Sequence, residues 1–139
     1  MSYTEDMEMF ERGALQALLS SWPYMTYDDE QESDQSFQEK GFTVDDVAHD
    51  IDYYTFVREC DNFFRVARNA GIFTAETDYA QAGANFLFGR NGDGAGFLDY
   101  PAGYGGKENA DKLVLWCDFY SPVAAFYNPA INKIEVYYG

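Results

Sequence analysis

Residues 85–99 read Asn85-Phe86-Leu87-Phe88-Gly89-Arg90-Asn91-Gly92-Asp93-Gly94-Ala95-Gly96-Phe97-Leu98-Asp99. Two short apolar runs flank an Asn-Gly and an Asp-Gly, dipeptides that supply the positive backbone angles of a tight hairpin turn. The pattern therefore predicts a β-hairpin. A second hairpin is predicted where residues 123–127 and 133–138 are joined by Asn128-Pro129-Ala130-Ile131-Asn132. Together they predict a small antiparallel sheet of about four strands packed against helices, an α+β fold.

Upstream, residues 6–19 place Met9, Phe10, Gly13, Leu15, Ala17, Leu18 and Leu19 near helical spacing. Glu5, Asp6 and Glu8 lie at the start, where carboxylates suit the helix dipole. Trp22, Pro23 and Tyr24 end that helix, and residues 27–41, YDDEQESDQSFQEKG, show no apolar period and read as a solvated loop. Thr43 with Asp46 three residues on offers an N-cap arrangement. From there Val44, Val47, Ala48, Ile51, Tyr54, Phe56, Val57, Cys60, Phe63, Phe64, Ala67 and Ala70 predict one long amphipathic helix up to Gly71. Its other face carries Asp45, Asp46, Asp50, Asp52, Glu59 and Asp61, then Arg65 and Arg68. Residues 76–82 read as a short helical or irregular piece, 100–106 as a glycine-rich loop, and 107–119 as a helix through Ala110, Leu113, Val114, Trp116 and Cys117.

With 139 residues, 47% of them hydrophobic and 19% aromatic, the chain has material for one core and is no disordered acidic tail. One domain, 1–139, is expected, with an acidic helical half (1–71) and a hairpin-rich half (84–139). Against 24 Asp plus Glu stand 9 Lys plus Arg, for a formal charge of −15. That balance opposes direct binding of nucleic acid through phosphates, which needs clustered cations. Residues 1–63 hold 16 acids and 3 bases, residues 64–139 only 8 acids and 6 bases. No apolar run approaches the ~18 residues of a membrane span, and residues 1–20 lack the basic start of a secretory signal, so a cytosolic chain is expected. Cys60 and Cys117 have neither CxxC spacing nor a histidine cluster and read as buried thiols. No metal or cofactor is implied.

The stretch from Gln81-Ala82-Gly83 through Arg90-Asn91-Gly92 to Phe97-Leu98-Asp99 resembles a family of small acidic proteins encoded by tailed bacteriophages. The family's version runs Gln-Ala-Gly, two residues, Phe-Trp-Leu-Thr-Arg-Asn-Gly-His-Gly-Ala-Gly-Phe-Trp-Asp. The resemblance also touches residues 14–21, the acidic loop, 42–48, 60–63 and the tyrosine-rich terminal hairpin, and so covers most of the chain. Gly89 stands where the family has Thr, Asp93 where it has His, and Leu98 where it has Trp. Losing that histidine removes the one loop residue suited to general-base work near neutral pH. The resemblance implies provenance, and with it the cytoplasm of an infected host cell, more than an activity.

A ligand loop at Arg90, Asn91, Asp93 and Asp99 is one reading, since glycines let backbone N–H groups converge on a phosphate. It lacks the Lys-Ser/Thr ending of a P-loop and the order of a calcium loop, so a plain turn is preferred. His49, the only imidazole, sits among carboxylates and reads as a surface residue. Adjacent acids such as Asp28 with Asp29 arise readily among 24, and no catalytic constellation emerges. The acidic surface is the stronger feature. Asp28, Asp29, Glu30, Glu32, Asp34, Asp45, Asp46 and Asp50, with Trp22 and Tyr24 as apolar anchors, would attract a partner with a basic surface. The expectation is a non-enzymatic phage protein that inhibits a host protein, a nucleic-acid enzyme or defence system, in part by mimicking nucleic acid. Alternatives are a small ligand- or nucleotide-binding module using loop 89–99, and an accessory structural phage protein.

Overall fold

The computed structural model of the chain describes residues 2–27, 33–93 and 95–138, with Ala95 described by its backbone alone. The elements run α1 (Tyr3–Ser21), a 3-10 turn (Val44–Asp46), α2 (Ile51–Asn69), α3 (Tyr79–Arg90), α4 (Ala95–Asp99), a second 3-10 turn (Pro101–Tyr104), α5 (Lys107–Cys117), β1 (Ala124–Asn128) and β2 (Lys133–Tyr137). The fold is α+β but mostly helical. Among the described residues its one sheet has two strands, not about four.

The missing hairpin is the stretch 85–99, which is helix, turn and helix. Asp78 caps α3 by accepting the backbone N–H of Gln81 at 3.1 Å. At the other end Gly92, with φ of +97°, donates to the Gly89 carbonyl, and Asp93 donates to the Phe88 carbonyl at 2.8 Å. That double closure is a Schellman motif, which needs the same left-handed glycine as a hairpin turn. Packing selects the helix. A Cβ on Gly83 of α3 would stand 2.0 Å from the Phe10 carbonyl oxygen of α1, and one on Gly13 would stand 2.1 Å from the Ala80 carbonyl oxygen. The two bare glycines let the helices touch backbone to backbone.

The expected helix from 44 to 71 is also broken. Val47 adopts extended angles and bridges to Ile134, and the Ala48 N–H donates to the Ile134 carbonyl at 2.7 Å. The edge of β2 thus draws the chain out of helix, and Asp50 starts α2 afresh by capping the Tyr53 N–H at 3.0 Å. Within the expected 27–41 loop, the described residues 33–41 are only partly solvated, because Phe37 is fully buried and Ser36 bridges to Pro23.

Other segments follow their pattern. α1 opens with a reciprocal cap between Ser2 and Glu5 and buries Phe10, Ala14, Leu18 and Leu19. The terminal hairpin pairs Phe126 with Glu135 and Tyr127 with Ile134, turning through Asn132 at φ of 57°. One continuous core has at its centre phenylalanines from α1, α2, α3 and α4, such as Phe63 against Phe86 at 4.4 Å between ring centres. Cys60 and Cys117 lie inside it as free thiols.

Candidate functional site

Four acidic residues of the first half, Glu5, Glu8, Glu11 and Asp45, line a groove of about 520 Å³ between α1, the 3-10 turn and the first turns of α2. Glu5, Glu8 and Glu11 come from one side of α1 because they recur at three-residue steps, and Asp45 faces them from the turn. Met9, Leu15, Val44 and Phe56 give the groove an apolar lining, Arg12 adds a cation, and His49 lies at its edge. His49 is exposed and stacks on the Tyr53 ring with centres 4.2 Å apart. It precedes α2 and does not lie on a helix face, the correction that follows from the break at Val47.

Glu11 is the group sequence reading missed. Burial, the Asp61 carboxyl against it and the charge of Glu8 push its pKa up to about 8. Asp61 Oδ1 is buried, and Glu11 is the group whose retained proton it can accept. The pair spans 50 positions, with one partner on α1 and one on α2, so nothing local announces it.

The expected partner-binding residues divide. Asp45 and Asp34 are exposed. Asp46 accepts the Thr43 N–H at 2.8 Å and Asp50 caps α2, so both carboxylates have work in the backbone. Asp28, Asp29, Glu30 and Glu32 lie outside the described residues. Trp22 and Tyr24 are half-buried against the core, Tyr24 stacking with Phe42 at 5.7 Å, and are not free anchors. Tyr27, by contrast, is 48% exposed, stacks on Phe126 at 4.9 Å and donates its hydroxyl to Glu135 at 2.9 Å.

The ligand loop is dispersed. Arg90 points inward, its side chain fully shielded, with Nε donating to the Ser121 carbonyl at 2.9 Å and Nη2 to Glu59 at 2.7 Å. Phe56, Phe86, Tyr120 and Tyr138 surround its guanidinium at 5.3 to 5.7 Å. Asn91 is equally occupied: its amide donates to the Val123 carbonyl at 3.0 Å and accepts the Val123 N–H at 2.8 Å. Asp93 and Asp99 are exposed and belong to neither contact. The Arg-Asn pair fastens the 121–123 segment to the end of α3 and is closed to any phosphate.

Among the described residues no group of three or more His, Cys, Asp or Glu is placed to hold a metal ion, and no helix is long and apolar enough to cross a membrane. No family model, curated protein or solved structure matches the chain.

Proposed function

We propose that this chain is a non-catalytic binding protein that docks through its acidic amino-terminal face on a host protein with a basic surface and inhibits it, standing partly in place of a nucleic acid. The observation that carries the reading is the groove between α1 and the start of α2, where the carboxylates of Glu5, Glu8 and Asp45, beside a Glu11 that keeps its proton, ring an apolar floor with Arg12 as the one Lys or Arg among its described lining residues. Apolar area supplies affinity, and the ring of carboxylates supplies steering and selects a cationic partner. The charge of −15 repels nucleic acid itself, and the resemblance to small acidic phage proteins supports a host target.

The test is affinity purification from bacterial lysate at low and high salt, followed by assay of the retained protein's own activity. A true partner is held at low salt, released as exposed charges are screened within roughly 8 to 10 Å, and inhibited when bound. Glu8→Gln with Asp45→Asn, folded as the parent, should lose the partner. Retention that ignores both salt and these substitutions would end the proposal.

A further inference from the structure

We propose that a second cavity, between residues 71–78, the start of α3, α4 and the Pro101–Tyr104 turn, binds a small organic cation of the alkylamine or guanidine type. The cavity measures about 700 Å³, within the range of small-molecule sites, and shares no residue with the acidic groove. It does not depend on the partner-binding reading.

Its floor is polar, buried and fixed in orientation. Asn85 and Tyr104 are 4% and 5% exposed. Gln81 Nε2 donates to Asn85 Oδ1 at 3.0 Å, and Asn85 Nδ2 donates to the Tyr104 hydroxyl at 2.9 Å. The Asn85 and Tyr104 oxygens each accept one of these bonds and keep a lone pair for a ligand that donates, while the Tyr104 O–H, given no acceptor by these bonds, can itself donate to the ligand. Burial raises the Tyr104 pKa to about 12, so the phenol stays neutral. The room for this floor comes from Gly96, where a Cβ would stand 2.5 Å from Asn85 Oδ1.

The wall and rim agree on the sign of the ligand. Tyr100 is 68% exposed, its ring set beside Gly103 so closely that a Cβ there would lie 2.9 Å away. An open aromatic face of that kind attracts ammonium and guanidinium groups. Glu76, Asp78 and Asp99 complete the rim, and among the described residues no Lys, Arg or His lines the cavity. Asp78 is engaged in capping α3, while the Asp99 carboxylate makes no hydrogen bond among the described residues. A phosphate-bearing ligand would meet three carboxylates and no counter-charge; an amine meets acceptors on the floor, an aromatic face and carboxylates at the mouth. Gln81, Asn85, Gly96 and Asp99 all come from the 81–99 stretch, so the part not spent on the Arg90 and Asn91 contacts converges here.

Thermal melting and titration calorimetry of the full chain with agmatine, spermidine and, as an anionic control, AMP test the site. Agmatine or spermidine should raise the melting temperature saturably while AMP does not. Asp99→Asn and Tyr100→Ala, both on exposed positions and checked for fold by circular dichroism, should each weaken the amine about tenfold. Glu8→Gln in the groove should leave its affinity unchanged. No saturable stabilisation at millimolar amine, stabilisation that Asp99→Asn and Tyr100→Ala leave intact, or equal loss in Glu8→Gln would each overturn the proposal.

Discussion

Arg90 donates to Glu59 at 2.7 Å with its own side chain shut off from solvent, tying the end of α3 to the middle of α2. The Tyr138 hydroxyl donates to the same Glu59 oxygen, so the residue just after β2 closes over the pair. Truncating a buried, paired charge is costly because the partner is left with no counter-charge. Arg90→Ala should therefore lower stability by about 3 to 5 kcal/mol in urea unfolding. Glu59→Gln should cost less, about 1 to 3 kcal/mol, because the Glu59 side chain is 28% exposed and water can replace part of its role. A loss under about 1 kcal/mol for Arg90→Ala would show that the aromatic cage holds without its cation.

Glycine to alanine normally stabilises a helix interior by about 1 kcal/mol. At Gly83 the sign should reverse, because the new methyl would meet the Phe10 carbonyl backbone at 2.0 Å and neither helix can yield alone. A destabilisation of about 1 to 3 kcal/mol or more is expected. Gly92→Ala meets nothing within 4 Å and should cost only the left-handed backbone strain, about 1 kcal/mol. Paired thermal melts of the two variants separate steric collision from conformational strain.

Glu11 makes stability depend on pH in an unusual direction. Its folded pKa, about 8, lies above the ordinary 4.5, so the folded state holds a proton that the unfolded state gives up first. The associated stabilisation is complete below about pH 4.5, falls as pH rises, and is gone above pH 8. Denaturation midpoints should thus decline from pH 5 to pH 8, and Glu11→Gln should flatten that decline. A parent and variant with parallel pH profiles would remove Glu11 as the cause.

Asn91 performs two opposed hydrogen bonds with the Val123 backbone. Asn91→Ala should cost about 1 to 2 kcal/mol, and the loss should be local. Hydrogen exchange should quicken at residues 121–128 while α1 and α3 keep their protection. Uniform acceleration across the chain would mean the 121–123 segment is not separately fastened.

Some of this architecture is legible in the sequence and some is not, for identifiable reasons. α1, α5 and the terminal hairpin follow from their own periodicity, because each buries one face and leaves the other wet. α3 is misread because Asn91-Gly92 suits a helix cap as well as a hairpin turn, and the deciding contact is Gly83 against Phe10, more than 70 positions away. The helix expected from 44 to 71 fails at Val47 for a similar reason: its competitor is the edge of β2, near the other end of the chain. At the acidic face, charge density is visible in composition, yet the rise in the Glu11 pKa caused by burial and by Asp61 from another helix is not. Trp22 and Tyr24 look like anchors in a polar stretch, but both are partly buried against the core, Tyr24 on the rings of Phe37 and Phe42.

Both thiols sit in the core, the Cys117 pKa pushed up to about 12 by burial and that of Cys60 raised as well. Alkylating reagents will find neither sulfur while the chain is native, and each modification event will time an opening of the interior. A single cysteine engineered on the surface can therefore carry a dye or spin label without the natural pair having to be removed.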